Sequence, residues 1–214
     1  STIPKKWDGL WRLKQQTLII LFAALASTAQ IETYHSFLAN NNQVIFVQTN
    51  SPEATIGTLS LYQRKNNSSP WKLYTSFPVT VGRTGVAWDA GTSLPHQKGA
   101  ATKQEGDGKS PAGIFALGPV FSYHTIDKIK IPFVQVDTND ICVDDMSSVY
   151  YNRLIKKDTA TKNDWSSFEY MHRKDDFYEY GVWVQYNSTI YETGKGSCIF
   201  LHVWLNDATP TSGC

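Results

Sequence analysis

The sequence predicts a mainly β protein. Two observations carry this. Seven Trp, eleven Tyr and ten Phe are many for 214 residues, and such rings pack well on pleated surfaces. Short apolar runs are also separated again and again by clusters of Asn, Ser, Pro and Gly, the pattern of strands joined by turns. The elements follow in order. "IETYHSFLAN" (31–40) is read as a short opening helix with Ile31, Tyr34 and Leu38 on one face. "NQVIFVQTN" is a strand stopped at Asn50-Ser51-Pro52. "GTLSLYQRK" alternates Leu59, Leu61 and Gln63 against Ser60, Tyr62 and Arg64, then ends in the turn "NNSSP". "WKLYTSFPVTVGRTG" is a strand broken at Gly82 and Gly85.

A long polar loop, 91–118, occupies the middle of the chain. Loops of this length inside a domain are commonly functional. It contains "EGDGKSPAGIF", whose glycines and proline fix a backbone path that displays Glu105, Asp107 and Lys109. The string lacks the Gly-x-x-x-x-Gly-Lys-Ser/Thr spacing of a phosphate loop; the plainer reading is a tight turn into the strand "GIFALG". "IPFVQVDTNDICVDD" is read as paired strands. Ser147–Lys157 is expected to be a helix, with Ser147 as N-cap and Val149, Leu154 and Ile155 buried. A second helix is expected in "DWSSFEYMHRKDDF", where Phe168, Met171 and His172 fall at helical spacing. "YGVWVQYN" and "GSCIFLHVW" close the series as strands.

Apolar residues make up 41% and charged residues 18% of the chain, an ordinary globular balance. The formal net charge of +1 supplies no field that draws in nucleic acid. There is no repeat and no domain-scale linker, so one domain is expected over residues 31–214. Residues 1–30 read differently. Lys5, Lys6, Arg12 and Lys14 precede the apolar run Thr17–Ala26, and small residues follow. That order marks a signal peptide, with a retained N-terminal anchor as the alternative; the run is short for a membrane span. Either reading exports the rest, and a retained segment would attach it to a membrane. In an oxidising compartment Cys142, Cys198 and Cys214 are an odd set. A Cys142–Cys198 disulfide would leave Cys214 free; two buried free thiols are the alternative.

The chemistry concentrates in "HVWLNDATPTSGC". His202 lies on an apolar strand, where a lone His is usually a packed residue. The turn formers after it would return Cys214 toward that strand. A thiol becomes a strong nucleophile when a neighbouring imidazole takes its proton, and backbone N–H groups around Gly213 and Cys214 would suit an oxyanion hole. The order His then Cys is opposite to that of papain-like and NlpC-type peptidases. Sortases share the order but have a longer gap and an Arg after the Cys.

His followed by Ser/Thr-x-Gly-Cys resembles the active-site motif of the YkuD-type L,D-transpeptidase catalytic domain family (ErfK/YbiS/YcfS/YnhG). "VGRTGVAWD", "KQEGDGKSPAGIFALG", "CVDDMSSVYYN" and "GKGSCIFLHVW" resemble blocks of a secreted branch of the same family. The resemblance implies a fold of packed mixed β-sheets with a few short helices. It implies an exported enzyme acting on peptidoglycan stem peptides in the bacterial periplasm or cell envelope. Cys214 would attack the third residue of a tetrapeptide, expel the terminal D-Ala and pass the thioester to an amine. With water as acceptor the enzyme would be an L,D-carboxypeptidase; a non-catalytic wall-binding module of the same fold is the other alternative. By the motif, Cys214 is the nucleophile, His202 the base and Gly213 the oxyanion support. Thr211 stands at the motif's Ser/Thr. Ser212 replaces a second His found in many members, which alters the hydrogen bonding around the dyad.

Arg83 is a weaker candidate, for a stem-peptide carboxylate, and Trp204 for lining the groove. Asp144 and Asp145 resemble a carboxylate pair, one of which would cap the following helix. No cofactor is expected, and the spacing of His and Cys does not suggest a metal site. A monomer is expected, with peptidoglycan as its partner. Asn67-Ser68-Ser69 and Asn187-Ser188-Thr189 match a glycosylation pattern that carries no meaning in a bacterial envelope. A carboxylate on Cys214 itself would disfavour its thiolate. The expectation is therefore that the natural chain continues and that the domain is incomplete at its C-terminus.

Overall fold

A computed structural model describes residues 19–23, 34–92, 94, 96, 98–127, 129–203, 206 and 208–214. They form a mainly β architecture, as the aromatic content and the turn spacing predict. The largest sheet has the strand order β13-β12-β7-β1-β2-β3-β4, with β8 (Phe133–Gln135) paired to β7 (Ile114–Ser122). β2 (Gln43–Thr49), β3 (Ile56–Gln63) and β4 (Lys72–Thr80) make an antiparallel meander. Its register joins Phe46 to Ser60 and Leu59 to Phe77. β12 (Tyr180–Val184) separates β7 from β13 (Phe200–His202), antiparallel to both.

The unbroken apolar run in β2 has a physical cause. Ile45 and Val47 pack on one face with Leu59, Leu61, Phe115 and Tyr186. Val44 and Phe46 pack on the other with Leu38, Tyr62 and Trp71. A strand covered on both faces needs no polar alternation. Leu38 and its neighbours belong to α1 (His35–Leu38), the described part of the helix expected over 31–40; Ile31 lies outside the described residues.

β1 (Ile19–Ala23) comes from the apolar run read as an export signal. It pairs parallel with β2 and antiparallel with the first half of β7. Loss of this segment would leave those facing edges open. The rest of residues 1–30 lies outside the described residues. Among the described residues no helix is long and apolar enough to cross a membrane.

A second sheet, β10-β9-β11, replaces both expected helices. β9 (Asp140–Val143) is flanked by β10 (Arg153–Lys156) and β11 (Phe168–Tyr170). The 133–143 region therefore does not pair with itself: β8 joins β7, while β9 joins its own later neighbours. Helix 147–157 fails for local reasons. Asp145 accepts from the Ser147 N–H and hydroxyl and from the Ser166 N–H and hydroxyl. Asp164 takes the Ser148 hydroxyl at 2.6 Å. These bonds offer the backbone an alternative to helix. Asn152 then adopts φ 58°, which ends any helix; its amide donates to the Tyr186 and Asn187 carbonyls and accepts from the Cys198 N–H. Val149 is exposed, not buried. In the second case, pairing of 168–170 with β9 wins over the helical spacing. Met171 is buried, and His172 stacks on Tyr123 at 4.0 Å between ring centroids. The remaining two-stranded piece joins β5 (Val86–Trp88) to β6 (Ser110–Ala112).

Cys142 of β9 and Cys198, just before β13, form a disulfide with Cα atoms 6.0 Å apart. It fastens the small sheet to the large one beside Phe121, Met171, Trp183 and Phe200. A cross-link spanning 56 residues stabilises by about 4 kcal/mol on the loop-entropy relation. Replacing both cysteines by Ala should lower unfolding stability in urea by roughly that amount. A variant as stable as the parent would show that the link constrains nothing.

Candidate active site

His202 and Cys214 line one cleft of about 410 Å³, together with Lys103, Glu105, Asp144, Glu169, Arg173 and Tyr178. His202 arrives at the end of β13, registered against Gly181 of β12. Cys214 arrives on a loop that has no strand of its own. Thr211 donates its N–H to the Val81 carbonyl at 3.0 Å, and its carbonyl accepts from the Arg83 N–H at 2.8 Å. Together these form a parallel bridge to Gly82. Ser110 completes the seat: its hydroxyl accepts from the Gly82 N–H at 2.8 Å and donates to the Cys214 carbonyl at 2.5 Å. Upstream, Asn206 accepts from the N–H groups of Ala208 and Thr209, which shapes the turn.

The glycine-rich block is the floor of this seat. Asp107 points inward, not out as a displayed charge. It accepts from the Lys109 N–H, the Gln104 N–H and the buried Lys103 ammonium, each at 2.8 Å. Glu105 likewise turns in, accepting from Tyr151 and Ser197 hydroxyls at 2.5 and 2.7 Å. Gly108 has φ +69°, and a Cβ there would lie 2.9 Å from the Arg83 guanidinium carbon. Only glycine lets that side chain lie across the block. Arg83 then donates to the Ser212 carbonyl at 3.1 Å. It braces the loop that carries the cysteine. Ser212 is itself exposed.

Thr211 supports the tip from within. Its hydroxyl donates to the Cys214 carbonyl and accepts from the Gly213 N–H at 3.3 Å. Gly213 sits at φ +148°, outside the comfortable range of side-chain-bearing residues. Among the described residues, no acceptor engages the Cys214 N–H. Trp204 lies outside the described residues.

The His202 ring is oriented by its Nδ1, 2.7 Å from the Val203 carbonyl oxygen. That contact places the proton on Nδ1 and leaves Nε2 as acceptor. The Tyr178 ring meets the imidazole edge to face, 5.0 Å between centroids. The Cys214 thiol donates to the Cys198 carbonyl at 3.5 Å, not to the imidazole. The two reactive groups thus share a cleft without sharing a hydrogen bond. Burial, followed by the Glu169 charge, pushes the thiol up to about 12. Burial also lowers the imidazole, against the pull of the Val203 and Phe177 carbonyls. Both groups are neutral at rest.

Glu169 and Arg173 belong to the segment read from sequence as a helix, which hid them; Tyr178 follows that segment and lies outside every element read from the sequence. As a strand, β11 sends Phe168 and Tyr170 to one face, 5.0 Å apart between rings. Glu169 points to the other, where its carboxylate accepts from Tyr178. Among the described residues, one buried oxygen of Asp144 finds no hydrogen-bond partner. Asp145 is held well below the usual carboxylate range by the Ser166 and Ser147 hydroxyls, and it caps a turn, not a helix. Among the described residues no group of three or more His, Cys, Asp or Glu is arranged to hold a metal ion. Comparison with protein-family models, with curated proteins and with solved structures gives no match for the chain.

The thiol is the clearest electrostatic prediction. Its folded pKa lies above its unfolded value of about 8.5, so the neutral form favours the folded state. That stability is complete below about pH 8.5 and is lost as pH rises toward about 12. Alkylation of Cys214 by iodoacetamide should therefore keep accelerating close to tenfold per unit from about pH 9 to about pH 11. A plateau near pH 8.5 would contradict a desolvated thiol.

Proposed function

We propose that the chain is an exported YkuD-type catalytic domain that performs L,D-transpeptidation on peptidoglycan, with Cys214 as nucleophile and His202 as base. The observation that carries the reading is a single cleft lined by a thiol and by an imidazole whose Nδ1 is already committed to a carbonyl. The glycine-rich block braces the cysteine loop from below, which gives a role to both halves of the resemblance.

The reaction needs the thiol to turn from the Cys198 carbonyl to His202 Nε2. The imidazole takes the thiol proton, and sulfur attacks the carbonyl carbon of the stem peptide's third residue. The Cys214 N–H and the adjacent glycine backbone suit the oxyanion that forms. Collapse breaks the bond to D-Ala, whose amine leaves with the proton held by His202. The thioester then meets an amine, which gives the cross-link, or water, which gives a carboxypeptidase product. Either route returns the proton to sulfur. Because burial disfavours both charged partners, the ion pair forms only as the attack proceeds; it is not stored beforehand.

One observation favours the wall-binding alternative: the resting thiol is bonded to a carbonyl, away from the base. Chemistry separates the two readings. Incubation with a carbapenem should add one acyl mass to Cys214, and a tetrapeptide stem should release D-Ala. Cys214→Ala should abolish both, and His202→Ala should slow both at least about 100-fold. A binding module would instead retain peptidoglycan equally with either residue at 214, and no acyl adduct would form.

A further inference from the structure

We propose that Tyr178 is a third member of the site: its hydroxyl is shared between the Glu169 carboxyl and the Cys214 sulfur, and it donates to the thiolate when the nucleophile forms. The inference rests on Cys214 as nucleophile in the reading above, but not on what the acyl donor is.

Three things place the hydroxyl. Tyr178 is buried, with 5% of its surface exposed. Its ring is held edge to face by Phe121 at 6.1 Å, Phe200 at 5.5 Å and His202 at 5.0 Å between centroids. A phenol so enclosed loses little entropy in holding one position. Its hydroxyl donates to Glu169, and Cys214 packs against the apolar cluster that holds Tyr178 and lines the same cleft, where a hydrogen bond from Tyr178 favours the thiolate. Glu169 is fixed in turn by β11, where it is registered against Cys142 of the disulfide.

A phenol has one proton and two acceptors here. With Glu169 ionised, the carboxylate takes that proton, and its charge opposes a thiolate beside it. With Glu169 protonated, its own O–H donates to the phenol oxygen, and the phenol O–H is free to turn to sulfur. No covalent bond changes in this exchange; the thiol proton still goes to His202. The groups facing Glu169 set the balance. Burial raises its pKa, with Asp144 and Glu105 acting in the same direction, and Tyr178 and Arg173 opposing. Around Cys214, burial and Glu169 oppose the thiolate, and the Phe200 backbone, Lys103 and Tyr178 favour it. Tyr178 thus bears on both the sulfur and the charge that suppresses it.

The test reads the thiol and not turnover: the rate of Cys214 alkylation by iodoacetamide against pH, with unfolding temperature recorded for each variant. At about pH 9, Tyr178→Phe should react about tenfold more slowly than the parent, and Glu169→Gln about tenfold faster. In the double variant the Glu169→Gln acceleration should shrink to less than half on a logarithmic scale, since part of it passes through the missing hydroxyl. A natively folded Tyr178→Phe protein with the parent's alkylation profile overturns the proposal, and so do strictly additive effects. Where Tyr178→Phe fails to fold, an unchanged rate in Glu169→Gln overturns it alone. Shifted profiles in a protein that no carbapenem acylates would uphold this inference and remove the transpeptidase reading instead.

Discussion

Two backbone hydrogen bonds, from Thr211 to Val81 and from Arg83 to Thr211, decide where the sulfur sits. Residues 208–214 pack on the core through the small Cys214 side chain, which does not fix the path of the loop before it. They are positioned by edge pairing against residues 81–83, by the Ser110 hydroxyl beneath and by Arg83 across the Ser212 carbonyl. Residues 81–83 are in turn seated on the Gly-Asp-Gly turn, which Asp107 closes through three hydrogen bonds. A block about a hundred positions upstream is therefore part of the support of the loop that carries Cys214.

The legible parts of the fold are those whose signal is local. Strand β3 follows from alternation, β2 and β4 from apolar runs with Asn- and Pro-rich stops, and the Gly82 and Gly85 break falls where β4 ends. The His and Cys motif also placed both groups in one cleft. The illegible part is the small sheet. Leu154 and Ile155, or Phe168 and Met171, satisfy a helical period as well as a strand, and nothing local announces that β9 waits between them. The deciding signals are side chains that bind backbone: Asp145 and Asp164 on Ser hydroxyls, and Asn152 in a left-handed conformation. Misreading that sheet also concealed Glu169, because a helix would have sent alternate residues elsewhere.

The cleft is electrostatically unusual in holding two ionisable reactive groups neutral. Lys103 is neutralised within its own turn by Asp107, and Arg173 is spent largely on Asp175. Neither offers the sulfur an undivided positive charge. Desolvation therefore governs, and a charge appears only where a donor is already aimed. Such a site trades resting reactivity for selectivity, since small electrophiles meet a thiol and not a thiolate.

The disulfide has a consequence for how the chain is made. Three cysteines permit three one-bridge isomers, and Cys198 and Cys214, which meet in the finished fold, are separated by only 16 positions, against 56 for the native pair. In an unfolded chain the shorter loop closes more readily, by about 1 kcal/mol. Random oxidation of the unfolded chain would thus favour a Cys198–Cys214 cross-link over the native one. Docking of β9 beside the segment before β13 offsets that preference by bringing Cys142 to Cys198, and it leaves Cys214 free.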